Sequence, residues 1–137
     1  MNKQAASGTK KLLSVKDVSK IYKMGEVDVY ALRETSIDIY EGEFLIIVGP
    51  SGSGKSTLLN IIGGMDRPSE GEVHYHEQSL TRASDWELTL YRRREIGFVF
   101  QFFNLVPSLT ALENIEVVTE IADDPMSPIK ALELVDL

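Results

Sequence analysis

Gly49, Gly54, Lys55 and Ser56 satisfy the spacing G-x-x-x-x-G-K-[ST], and each residue type has a chemical reason to be there. Small residues at Gly49, Pro50, Ser51, Gly52, Ser53 and Gly54 allow successive backbone N–H groups to converge on one anion. A helix beginning at Ser56 would add its uncapped N–H groups and the positive end of its dipole. Lys55 can reach terminal phosphate oxygens, the Ser56 hydroxyl can hold Mg²⁺, and Thr57 can help bind phosphate. The alternative is an ordinary glycine-rich turn between a strand and a helix. The complete motif in that context favours a phosphate-holding loop.

The flanking segments are what such a loop needs. Phe44 to Val48 (FLIIV) is a short unbroken apolar run, read as a buried parallel strand. Leu58, Ile61 and Ile62 recur at helical spacing, and Gly63 and Gly64 should end that helix because glycine accepts a left-handed cap.

Before this stretch, Leu13, Val15 and Val18 suggest a half-buried strand. Val27, Val29 and Ala31, then Ile37 and Ile39, alternate with polar residues as antiparallel strands with one wet face do. Glu41-Gly42-Glu43 reads as a tight turn. After the loop helix, Asp66 to Gly71 reads as a turn region and Glu72 to His76 as a short strand. Ser84 with Glu87, and Thr110 with Glu113, have capping-box spacing ahead of helices. Arg92, Arg93 and Arg94 suit the negative end of the first of these helices. Ile96 to Phe100 (IGFVF) reads as a second buried strand. Ser127-Pro128 opens a last helix carrying Ile129, Leu132 and Val135 to the end.

The 137 residues suit one domain. A net charge of −7 argues against nucleic acid as a partner. The absence of cysteine excludes disulfides and thiolate metal sites and fits a reducing compartment. Residues 1–11 read as a polar leader without the apolar core of a secretory signal, and no run approaches the ~20 apolar residues that span a bilayer.

With these segments in order, the chain resembles the ATP-binding subunit of ABC transporters, of the lipoprotein-release and macrolide-export type. The residues that carry the resemblance are GPSGSGKSTLLNIIGGMDRP (49–68), GEV (71–73) and IGFVFQFFNLVPSLTALENI (96–115). It covers residues 12–137 as the N-terminal portion of a nucleotide-binding domain. It implies an α/β P-loop NTPase fold: an antiparallel β subdomain plus an incomplete parallel-sheet core with helices. It also implies ATP and Mg²⁺ as cofactors. Tyr22 matches the aromatic that stacks on adenine, against the plainer reading of a strand-end tyrosine. Gln101 matches the Q-loop glutamine, which reaches Mg²⁺ and the attacking water. Phe102 to Leu109 matches the segment facing a transmembrane permease subunit; its large apolar residues are either core or docking surface, and docking is expected. The resemblance further implies a dimer with a second nucleotide-binding subunit and a cytoplasmic location, peripheral on the inner face of the membrane.

The sequence departs from the family in three respects: the LSGGQ signature, a strand ending in Asp-Glu, and the switch histidine are not found. Leu132-Glu133-Leu134-Val135-Asp136 comes nearest to the second, but its glutamate interrupts the apolar run. The chain is expected to stop just short of the signature, to bind Mg-ATP with little turnover of its own, and to leave an apolar patch open that favours self-association. A non-hydrolysing nucleotide-binding or interaction module is the competing reading. A GTPase or kinase on the same loop is disfavoured, since neither N-K-x-D nor a following D-x-x-G occurs. His74 and His76 share a strand face, but no third metal ligand accompanies them. Arg92 to Arg94 is expected to be a solvated helix end, and Trp86 a packing residue.

Overall fold

The computed structural model describes residues 10–137. Most of the polar leader therefore lies outside the described residues, and Lys11 already begins the first strand. The elements are β1 (Lys11–Met24), β2 (Val27–Tyr40), α1 (Lys55–Ile62), β3 (Glu70–Tyr75), β4 (Gln78–Ser79), α2 (Asp85–Glu95), α3 (Ala111–Thr119) and α4 (Pro128–Glu133). They fall into two compact units, up to Leu88 and from Thr89 onward.

In the first unit the alternating segments form a four-stranded antiparallel sheet of order β2-β1-β3-β4. Met24 pairs with Val27 across a two-residue turn, so the long β1–β2 hairpin closes with no distant partner. What the alternation suggests as two strands, 27–31 and 37–39, is one strand, β2. Register shifts interrupt the β1–β2 ladder between Val15 and Lys20. Asp17 and Glu34 take positive φ there, at 50° and 40°, the mark of extra residues that bend and twist a ribbon. The inward residues Leu13, Val15, Val18, Leu32 and Val73 meet Leu58 and Ile61 of α1 in a buried core, with Val18 0% and Ile61 1% exposed. Burying a side chain of this size contributes about 1.5–3 kcal/mol.

In the second unit the predicted capping box is complete. Thr110 Oγ accepts from the Glu113 N–H at 3.2 Å, and Glu113 Oε2 accepts from the Thr110 N–H at 2.7 Å. In the first unit Ser84 and Glu87 form the same reciprocal pair ahead of α2. The last helix starts after Ser127 with Pro128 in its first turn, but Ser127 makes no side-chain cap bond and the helix ends at Glu133 rather than at the chain's end. Neither α3 nor α4 contains a buried residue.

Two expected strands are corrected. Phe44–Val48 and Ile96–Phe100 form no strand. Phe44 is 89%, Val48 84% and Val99 102% exposed. A parallel strand that is apolar on both faces needs a strand on each side and helices above and below, and no described segment pairs with either run. Phe98 and Phe100 nevertheless lie side by side, ring centroids 5.5 Å apart, as residues i and i+2 do on extended backbone. Trp86 is likewise corrected: it is 67% exposed and does not pack in the core.

Candidate nucleotide-binding site

The loop from Gly49 to Gly54 leads into α1 through a tight geometry. The Ser53 N–H donates to the Pro50 carbonyl at 3.3 Å, and the Leu58 N–H to the Gly54 carbonyl at 2.8 Å. Gly54 is the N-cap, with φ 86°. A Cβ there would lie 2.3 Å from the Ala31 carbonyl oxygen of β2. The helix start is thus pressed against the sheet at a point where only glycine fits. No side chain caps α1 and its first turn holds no acidic residue. Its leading N–H groups and positive dipole end therefore remain available to an anion.

Lys55 folds over the same loop. Its Nζ donates to the carbonyls of Gly49 at 2.9 Å and Pro50 at 2.7 Å, and lies 3.4 Å from Ser53 Oγ. These are neutral acceptors, so a phosphate oxygen competes for the ammonium with a stronger, charge-assisted bond. Ser51, Gly52 and Ser53 are exposed around the turn, and Ser56 is exposed one residue into the helix. A single hydroxyl oxygen at this place fits Mg²⁺. That ion takes hard oxygen ligands and fills most of its shell with water and substrate phosphate. At the far end of the helix Gly63 stays right-handed with φ −79°. Gly64 takes the left-handed turn, with φ 69°.

Tyr22 lies on β1 in the same unit and is 39% exposed. Its hydroxyl donates to Asp66 Oδ2 at 2.8 Å, and the Lys20 ammonium stands 4.9 Å from its ring centroid. The phenol is pushed up by partial burial, by its bond to Asp66 and by that carboxylate's charge; a hydrogen bond with Thr57 of the loop helix opposes the rise. Burial raises the Asp66 carboxyl, but bonds from Lys20, Tyr22 and the Arg67 N–H, with the Lys20 charge, outweigh it and hold the group below its ordinary range. The pairing of Lys20 with Asp66 does not stand out in the sequence, because the two lie 46 positions apart.

Gln101 belongs to the second unit, exposed in an irregular segment after Phe100. Phe102, Phe103, Leu105 and Val106 follow it at 76%, 89%, 63% and 44% exposure, which excludes the core reading for them. Asn114 of α3 organises this segment: its side chain accepts from the Val106 N–H at 2.7 Å and donates to the Leu109 carbonyl at 3.1 Å. Arg93 and Arg94 pair with Asp123, so this helix end is ion-paired rather than only solvated. His74 lies within β3, and His76 follows it with φ 48°. No group of metal-ligating side chains occurs among the described residues.

The sequence family model described as ABC transporter matches residues 32–137. The chain belongs to the ABC transporter family. It is 57% identical over 106 residues to the ABC transporter ATP-binding protein MJ0796 of Methanocaldococcus jannaschii, covering 77% of this chain and 45% of that protein. An ABC transporter ATP-binding protein of Thermotoga maritima is 51% identical over 130 residues, 93% of this chain and 56% of that one. The macrolide export ATP-binding/permease protein MacB of Bdellovibrio bacteriovorus is 42% identical over 125 residues, 91% of this chain and 19% of that one. Among solved structures, the dimeric post-hydrolysis state of the MJ0796 cassette bound to ADP and Pi superposes with a TM-score of 0.81. It is 48% identical, over 92% of this chain and 58% of that one. The fold is accordingly that of an ABC-type P-loop NTPase, and the ABC chain spans about half the length of the curated cassette relatives it matches.

Proposed function

We propose that the chain is the ATP-binding portion of an ABC transporter cassette and that it holds Mg-ATP on the loop from Gly49 to Thr57. The observation that carries this reading is the start of α1. Gly54 is wedged against the Ala31 carbonyl, the helix N-terminus is uncapped, and Lys55 is poised over the loop. In this assignment the backbone from Gly49 to Gly54 cradles the β- and γ-phosphates, Lys55 neutralises them, Ser56 ligates Mg²⁺ and Thr57 binds phosphate. Tyr22 offers its ring to adenine, and Gln101 orients water and Mg²⁺.

Coupling to transport belongs to the assembled machine. The exposed run Phe102 to Leu109 is assigned to a transmembrane permease subunit. A second nucleotide-binding subunit completes a dimer, and the chain sits peripherally on the cytoplasmic face of the membrane. Relatives whose names join ATP-binding and permease functions support that partner, and a dimeric related cassette supports the dimer. No helix among the described residues is long and apolar enough to cross a membrane.

Lys55→Ala should abolish saturable binding of labelled Mg-ATP by the folded chain; unchanged affinity would rule the loop out. The second reading is a module that binds nucleotide without hydrolysing it. Hydrolysis needs a carboxylate to orient water besides the loop that holds phosphate. A phosphate-release assay separates the readings: the chain alone should show little turnover, and measurable turnover defeats the second.

A further inference from the structure

The surroundings of Tyr22 are more elaborate than a stacking ring requires. One Asp66 carboxylate oxygen takes the Lys20 ammonium at 2.6 Å and the Arg67 N–H at 2.7 Å. The other takes the Tyr22 hydroxyl at 2.8 Å. Lys20 also donates to the Arg67 carbonyl at 2.7 Å, and its side chain is only 13% exposed. The backbone holding Asp66 is itself anchored. The Met65 and Asp66 N–H groups both donate to the Asn60 carbonyl in the last turn of α1. Ser69 then ties the following residues to β1, receiving the Ile21 N–H at 3.0 Å and donating its own N–H to the Ser19 carbonyl at 2.8 Å.

These bonds have one consequence for the ring. A tyrosine this exposed would ordinarily sample several rotamers, and ordering it against a base would cost conformational entropy. Here a charge-assisted hydrogen bond fixes the phenol tip, and the Lys20 cation covers one face of the ring. The residue stays 39% exposed, which leaves ring surface for a flat, polarisable partner. Because Asp66 hangs from the end of α1, the ring's position is tied to the helix whose other end is the phosphate loop.

Resting on the nucleotide-binding reading above, we propose that Asp66 and Lys20 are positioning residues that pre-set Tyr22 as the base-stacking wall, at a fixed offset from the phosphate loop. They touch no nucleotide themselves. Their effect belongs to the base half of the ligand and not to the phosphate half.

Calorimetric titration of the 137-residue chain with Mg-ATP and with Mg-tripolyphosphate, which has the phosphates but no base, tests this. Asp66→Ala should weaken ATP about tenfold, the loss of one stacked base, and leave tripolyphosphate unchanged. Since that variant strands the Lys20 ammonium, Tyr22→Phe is the gentler probe: it keeps the ring and removes only the tether. It should lower the ATP preference in the same direction by a smaller factor, and adding it to Asp66→Ala should lower the preference no further than Asp66→Ala alone. An unchanged ATP-to-tripolyphosphate ratio in Tyr22→Phe overturns the proposal, as does equal weakening of both ligands in Asp66→Ala. Should the unaltered chain bind tripolyphosphate as tightly as ATP, the stacking wall falls while the phosphate loop stands. If it binds neither, the loop assignment fails first.

Discussion

Two apolar runs in the first unit began with similar promise and ended differently. Leu13, Val15 and Val18 of β1 are buried, at 6%, 2% and 0% exposure, whereas Phe44, Ile46 and Val48 stand at 89%, 67% and 84%. The difference lies in where the partners are. A strand with one apolar face is satisfied by a hairpin neighbour and one layer of helix, and β1 finds β2 a two-residue turn away. A strand apolar on both faces needs neighbours on each side, and no described segment supplies them. The lesson is that apolar character sets how much cover a segment demands, while the topology sets whether the demand is met.

That contrast can be broken by substitution. Ile61→Ala should cost about 2–5 kcal/mol in urea unfolding, as large-to-small changes in packed cores do. Val48→Ala should cost under about 0.5 kcal/mol, as for exposed positions. Equal costs would show that 44–48 is covered in solution.

The same contrast predicts that the chain self-associates through its uncovered apolar residues. Sedimentation should be concentration-dependent, and the pair Phe44→Ser with Val48→Ser should shift it toward monomer. A concentration-independent monomer in the unaltered chain counts against this.

The second unit sharpens the comparison from the other side, since α3 and α4 contain no buried residue and α3 leans on its cap. Thr110→Ala should cost about 1 kcal/mol, the usual worth of an N-cap, and reduce helicity by circular dichroism.

Acid should act at the two capping boxes with the smallest effect. Hydrogen bonds from Ser84 hold the Glu87 carboxyl below its ordinary range, and those from Thr110 do the same for Glu113. A folded-state pKa below the unfolded one means stability that is present above the unfolded value and lost as pH falls through the folded value. Helicity should therefore decline only in the acid range below the ordinary glutamate pKa. Glu113→Gln should remove part of that step, and an unchanged profile would detach the cap from the titration.

Much of the candidate site was legible because its logic is local. Gly49 to Thr57 and both capping boxes each depend on residues only a few positions apart, so composition and spacing carry them. The strands at 44–48 and 96–100 were not legible in this way. Their residue types describe a buried environment, and burial is conferred by other parts of a sheet rather than by the run itself. Trp86 misleads for the same reason: a large ring invites packing, but α2 turns it outward.

By itself, the sequence determined the strand-spacing, the glycine-rich loop with its lysine and hydroxyls, and the helix starts, because these arise from backbone sterics and hydrogen bonds within a turn or two of chain. Only the tertiary structure decided that Gly54 must lie under the Ala31 carbonyl, that Lys20 and Tyr22 meet an aspartate 46 and 44 positions away, and which apolar runs are covered. Those outcomes depend on contacts between segments distant in the chain, whose meeting is set by the packing of sheet against helix and not by any short run of residues.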